Sequence, residues 1–228
     1  MFAIVMLFVY KAQFFYRYQK MTILENTLVP QNIEGKHTDL KFSTDLKTAD
    51  EAIRCFQRAS KRMLNPSIWH DLCGPLSAKF KLVTEKGMDP HRLAEINDYF
   101  RIDIPGPGTK AGSGYDWVKV EAIEDHSFAG AEQESAGLRV RPCRQPGKGQ
   151  EAVAHFFQNK ATSTFIIHRK GNVVSACYHG RNELANTQTD STTDNIRNAI
   201  ISSGALSGLS EAQWLSLLKA FLQDEIGG

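Results

Sequence analysis

Histidines and cysteines are the residues whose types and spacing could do chemistry. The stretch TSTFIIHRKGNVVSACYHG carries His168, Cys177 and His179. On a strand, Cys177 and His179 stand at i and i+2, on one face and roughly 6–7 Å apart at Cα. A Cys beside a His can make a reactive thiolate. A small hydrolase-like enzyme would use these three, with Asn182, Glu183 or Asp103 to orient them and Arg181 to bind an anion. No spacing fixes such an acid, and no oxyanion loop is evident. His70 and Cys73 form a second pair, spaced H-x-x-C. With Cys177 and His179 they offer two Cys and two His, a set suited to tetrahedral zinc. About a hundred residues part the two pairs and nothing in the sequence makes them meet, so no metal is expected. The plain alternative is buried thiols and hydrogen-bonded imidazoles, on a polar sheet face covered by the terminal helices.

A second constellation is basic and aromatic. Lys79, Lys81, Arg101, Lys119, Arg139 and Arg141 alternate with apolar residues in strand-like stretches and fall opposite the apolar face. Tyr99 and Trp117 fall with them. Cations interleaved with rings suit a surface on which bases stack and phosphates pair. Glu85, Asp103 and Glu121 could instead neutralise part of this face through cross-strand pairs. The loop PGPGTKAGSG, within 105–115, is not a phosphate loop. Its lysine follows a threonine, and it opens into a strand where phosphate binding needs a helix N-terminus. A mobile connection or a partner-contacting loop is expected there.

The chain has 228 residues, a formal charge of +2, 42% hydrophobic and 23% charged residues, which excludes a disordered chain. A charge so near zero means that nucleic-acid binding would depend on local clustering. Four scattered cysteines without a CxxC indicate a reducing compartment. Residues 1–10, MFAIVMLFVY, are apolar, with Lys11, Arg17 and Lys20 after them. A signal peptide carries its charge before the apolar run, and a span needs ~20 residues. The leading expectation is an upstream start-site extension with Met21 as the beginning. The alternative is a short membrane anchor that leaves the domain in the cytoplasm.

These residues need elements to position them. Residues 21–47 read as an arm or linker with at most one short strand. A helix starts at Thr48, with Glu51 completing a capping box and Ala52, Phe56, Ala59 and Met63 as its buried stripe. Asn65-Pro66 stops it, and SIWHDLC adds a turn. Strands follow in which Ala78, Phe80 and Leu82, then Phe100, Ile102 and Ile104, then Val118, Val120 and Ala122, then Leu138 and Val140 point inward. The 162–180 hairpin turns at Lys170–Asn172. Phe165, Ile167, Val174, Ala176 and Tyr178 form its core face, and Thr164, Ile166, His168, Ser175, Cys177 and His179 the other. DNIRNAIISSG is a helix ending at Gly204. A second capping box at Ser210 and Gln213 starts a last helix with a Trp214, Leu217, Leu218, Phe221, Leu222 stripe.

The segments WHDLCG, DYFRIDIPGPG, GYDWVKVEAI, ATSTFIIHRKGNVVSACYHGRNE and DNIRNAIISSGALSGLSEAQW resemble a family of bacterial conserved hypothetical proteins, over about residues 49–222. The resemblance implies bacterial origin and a single domain, and it assigns no activity or catalytic residue. Kinase, hydrolase, zinc-protease and dinucleotide signatures are lacking, so no cofactor is expected. The expected fold is α+β: a twisted antiparallel sheet or small open barrel of about five or six strands, spanning 48–228 with an N-terminal helix and a C-terminal helical pair. The expected function is a non-enzymatic cytoplasmic binding or assembly module that uses the basic face and the 105–115 loop. Its expected partner is a protein or a second copy. The rivals are the His/Cys enzyme and a nucleic-acid-binding domain.

Overall fold

The computed structural model describes residues 24, 27–75, 77–85, 87–89, 91–128, 130–148, 152–203 and 210–224. The apolar leader 1–20, Gly204 and the connection 204–209 lie outside the described residues.

The fold is α+β. Eight strands form one antiparallel sheet in the order β1-β8-β7-β6-β5-β4-β2-β3. They are β1 (Lys36–Asp45), β2 (Lys79–Thr84), β3 (Gly87–Met88), β4 (Tyr99–Asp103), β5 (Asp116–Asp125), β6 (Gln133–Pro142), β7 (Thr162–Lys170) and β8 (Val173–Glu183). Helices α1 (Ala49–Met63), α2 (Trp69–Cys73), α3 (Thr192–Ser202) and α4 (Glu211–Leu222) complete it. The main core lies between one sheet face, here the inner face, and α1, α2 and α4.

Local chemistry explains most boundaries. The Thr48 hydroxyl accepts the Glu51 amide at 3.2 Å, and the Glu51 carboxylate accepts the Lys47 amide at 3.0 Å, which starts α1. Pro66 ends that helix by opening a 3-10 turn. Ser191 caps α3 by accepting the Asp194 amide at 3.2 Å. The box expected at Ser210 does not form: Ser210 is the N-cap residue of α4, yet its hydroxyl makes no capping bond. In the hairpin, Lys170 pairs with Val173, so Gly171-Asn172 is the turn, and both faces fall as the parity requires.

Three differences matter for the site. Residues 36–45, expected within an arm, form a ten-residue edge strand on β8. Its polar sequence KHTDLKFSTD buries only Thr38 fully, so it carries little apolar signal. The sheet therefore has eight strands rather than five or six. A bulge in β5 between Val120 and Ala122 inverts the alternation, so that Ile123 joins the inner core and Ala122 turns outward. No helix among the described residues is long and apolar enough to cross a membrane.

Candidate functional site

The inner core does not fill its own volume. A cavity of about 320 Å³ opens between the sheet and the start of α4. Its floor comes from inward positions of the strands: Phe80, Phe100, Ile102, Val118, Val140 and Phe165. Trp69, Phe156, Phe157 and Trp214 wall it, and Ile201 closes it from α3. Lys36 and Glu211, bridged at 2.6 Å, keep side-chain exposures of 59% and 56%, which places the mouth between β1 and α4.

One end of this aromatic chamber is polar. Tyr178, on the inner face of β8, stacks on Trp214 at 4.9 Å and 13°. Its hydroxyl lies 3.2 Å from the Ser163 hydroxyl and donates to Glu183 Oε1 at a long 3.4 Å. Glu183 Oε2 accepts the Thr38 hydroxyl at 2.8 Å. Glu183 reaches this position because β8 ends abruptly. Asn182 takes φ of 55°, and its side-chain oxygen accepts the amides of Ile33 and Glu34 at 2.8 and 3.2 Å. The carboxylate folds back over Gly180, where a Cβ would stand 2.2 Å from Oε1. Burial raises the Glu183 carboxyl, against the Thr38 bond and the Lys36 charge. Burial likewise pushes the Tyr178 hydroxyl far up.

His155 also lines the chamber, stacked on Phe156 at 4.1 Å. Its Nδ1 accepts the Phe157 amide at 2.9 Å, so the proton of the neutral ring sits on Nε2. Burial and the charge of Arg197 push this imidazole down to about 3.

A polar network anchors this side. Arg197 of α3 pairs with fully buried Asp116 and donates to the Pro107 carbonyl at 2.6 Å. Asp116 also accepts the Phe156 amide at 3.0 Å, and Asp194 accepts the Thr109 hydroxyl at 3.0 Å. Burial raises the Asp116 carboxyl, with Arg197 acting against it. The 105–115 loop, expected as mobile or partner-facing, is thus tied to the start of α3 and covers Trp117, whose indole donates to the Gly112 carbonyl at 3.3 Å. It does keep Lys110 and Ser113 exposed.

The hairpin trio lies elsewhere. His168, Cys177 and His179 share the outer face, and the Ile166–Cys177 pair separates the two histidines. Cys177 is buried with Ile166 under Leu24 and Leu28. Leu24, Leu28 and Val29 pack on this face, and not the terminal helices, which occupy the inner one. Gly137 makes room for it, since a Cβ there would meet Leu28 at 2.3 Å. His179 does have an orienting acid: its Nδ1 lies 2.6 Å from Asp39, which also accepts Arg181 at 2.7 Å. Burial works against the Asp39 charge, but His179 and Arg181 outweigh it and hold the carboxyl low. Covered Cys177 offers this dyad no open nucleophile. His70 holds Ser77, with Nδ1 3.0 Å from its hydroxyl, and Cys73 packs against the inner core, where burial raises its thiol to about 11. Inner-side Cys73 and outer-side Cys177 do not meet, and no group of three or more His, Cys, Asp or Glu suited to a metal occurs among the described residues.

The basic residues share the outer face as the alternation requires. Lys81, Arg101 and Trp117 form one row, and Tyr99, Lys119 and Arg141 the next. Their chemistry is partly committed. Arg139 and Arg141 both bind Glu121 and donate to backbone carbonyls, and Arg101 lies 4.2 Å over the Tyr115 ring. Trp117 is buried rather than a stacking platform. Lys79 and Lys81 stay exposed, and Lys79 faces Asp103.

Sequence reasoning named Glu183 as a helper to the hairpin trio and placed Tyr178 in the core. It passed over His155, Asp116 and Arg197. The available signal was a phenol on an otherwise apolar inner face, five residues before a carboxylate.

No protein-family model matches the chain, and a search of curated proteins gives no match. Similar solved structures include norcoclaurine synthase from Thalictrum flavum, at a TM-score of 0.38 and 8% identity over 86% of this chain and 98% of that one. Another is major latex-like protein 151 from Panax ginseng, at 0.35 and 12% over 75% and 95%. A third is protein Ms6760 from Mycobacterium smegmatis, at 0.37 and 12% over 87% and 100%. Likenesses at these TM-scores carry no argument, and the site rests on its own geometry.

Proposed function

We propose that the protein is a binding module that takes a small, largely apolar ligand into the chamber between the sheet and α4. One observation carries this reading: a cavity of about 320 Å³ walled by aromatic rings with a few convergent polar groups. An engineered apolar cavity of about 150 Å³ holds benzene, so roughly twice that volume suits a compact molecule of one or two rings. The binding function expected from the sequence is kept, and its surface moves from the basic outer face to the interior. The His/Cys enzyme loses support because Cys177 is covered and the histidines are apart.

The test is a titration with a neutral two-ring fluorescent probe, 6-propionyl-2-(dimethylamino)naphthalene, on the parent chain and on Val140→Phe. Val140 lines the floor, so a phenyl group there projects into the chamber and obstructs it. Saturable binding to the parent, lost in a folded Val140→Phe variant, is expected. Equal binding to both would place the probe outside the chamber and end the proposal.

A further inference from the structure

The charges around the chamber discriminate between ligands. Among the described residues its lining contains the carboxylates of Glu183 and Glu211 and one ammonium, that of Lys36. That ammonium is already spent on Glu211 at 2.6 Å. His155 adds no cation, because its Nδ1 is held as an acceptor by the Phe157 amide. Arg181 turns to Asp39 on the outer face, and Arg197 is taken by Asp116, Asn198 and the Pro107 carbonyl. An anionic ligand would find no free cation to replace its water. Glu183 has the opposite character. Its Oε2 is bonded to Thr38, while Oε1 has only the 3.4 Å contact with Tyr178. A carboxylate has about four acceptor positions, so Oε1 retains capacity for a strong donor. Beside it Trp214, partly buried and lining the chamber, is an aromatic ring of the kind that attracts cations.

Resting on the cavity reading, we infer that the chamber selects a small hydrophobic amine, whose ammonium group binds Glu183 Oε1 while its hydrocarbon part fills the aromatic floor. The ammonium and the carboxylate would make a charge-assisted hydrogen bond in a partly dry site. No bond is made or broken, so the step is binding alone.

Three probes of one skeleton separate this inference from the cavity reading: cyclohexylmethylamine, cyclohexylmethanol and cyclohexylacetate. None absorbs where tryptophan does, so tryptophan fluorescence, to which the chamber's Trp69 and Trp214 contribute beside Trp117, can report each titration at pH 7. The amine is expected to bind about ten-fold more tightly than the alcohol, and the carboxylate most weakly. Glu183→Gln should erase the amine's advantage and leave alcohol affinity within about two-fold, which also shows that the variant is folded. Lys36→Met removes the competing cation, so amine affinity should rise several-fold. An amine no tighter than the alcohol, or a preference that survives Glu183→Gln, overturns the inference and leaves the cavity reading standing. Tighter binding of the carboxylate overturns it too. Failure of all three probes to bind would take both readings down.

Discussion

His155 turns the chamber into a measurable pH dependence. The folded protein holds this imidazole neutral down to about 3, through burial and the nearby Arg197 charge. In the unfolded chain it titrates near 6.5. Below that pH the unfolded state binds a proton that the folded state refuses, so acid favours unfolding. Each pH unit in this window is worth roughly 1.4 kcal/mol. The stretch from pH 6.5 to pH 5 is therefore worth about 2 kcal/mol, a large share of the roughly 5–15 kcal/mol typical of a domain. Other groups titrate as well, so the difference between two proteins is the quantity to measure. His155→Gln cannot take up the proton, and its amide oxygen can still accept from Phe157. Urea unfolding followed by tryptophan fluorescence should give ΔG at pH 7, 6 and 5 for both. The parent should lose about 2 kcal/mol more than the variant on going to pH 5. Parallel pH profiles would refute the reasoning, because they would mean that the folded ring takes its proton as easily as the unfolded one.

The other outcomes follow from single contacts. Arg197→Met leaves Asp116 buried without its partner, and should cost about 3–5 kcal/mol in urea unfolding; a loss under about 1 kcal/mol would show the pair to be dispensable. Gly180→Ala puts a Cβ where the Glu183 carboxylate lies, 2.2 Å away. Because that carboxylate ends a flexible side chain, the variant should fold within about 1 kcal/mol of the parent and lose amine selectivity. Unchanged selectivity in the same titrations would mean that Glu183 acts from elsewhere. Val140→Phe should raise stability by about 0.5–2 kcal/mol as it fills empty space, and a marked loss would mean the floor is already packed.

The parts of this fold legible in the sequence are those ruled by local period. The α1 stripe, the inward residues of β2, β4 and β6, and both faces of the β7–β8 hairpin follow from alternation alone. β1 was hidden because an edge strand can be polar on both sides and still complete its ladder. The β5 bulge was hidden because one extra residue changes parity without changing composition. The chamber was harder still. Tyr178 reads as core by position, and it is core; Ser163 and Glu183, the latter folded back over Gly180 by the Asn182 turn, give its hydroxyl a role. That arrangement depends on residues 31–34 bonding to Asn182 across about 150 positions of sequence, and no periodicity encodes such a contact.

The persistence of the chamber itself requires a physical account. At about 24 cal/mol per Å³, 320 Å³ of void would cost up to roughly 8 kcal/mol, as much as a whole domain's margin of stability. The chamber has a mouth, and water entering there lowers that ceiling. Such a space lasts only where its walls cannot close, and apolar contacts are non-directional and would shrink it. Around α1 and the second half of α4, at Leu217, Leu218, Phe221 and Leu222, the core is indeed closed by packing. Near α3 the walls are set by directional bonds instead: Arg197 to Asp116 and Pro107, Asp194 to Thr109, and Asn198 to the Asn186 carbonyl at 2.7 Å. Hydrogen bonds fix a distance, so this network holds the chamber open as well as holding α3 on. Arg197→Met and Val140→Phe should accordingly both abolish probe binding while moving stability in opposite directions. Loss of binding with the same sign of stability change in both would mean that the network and the cavity are unrelated.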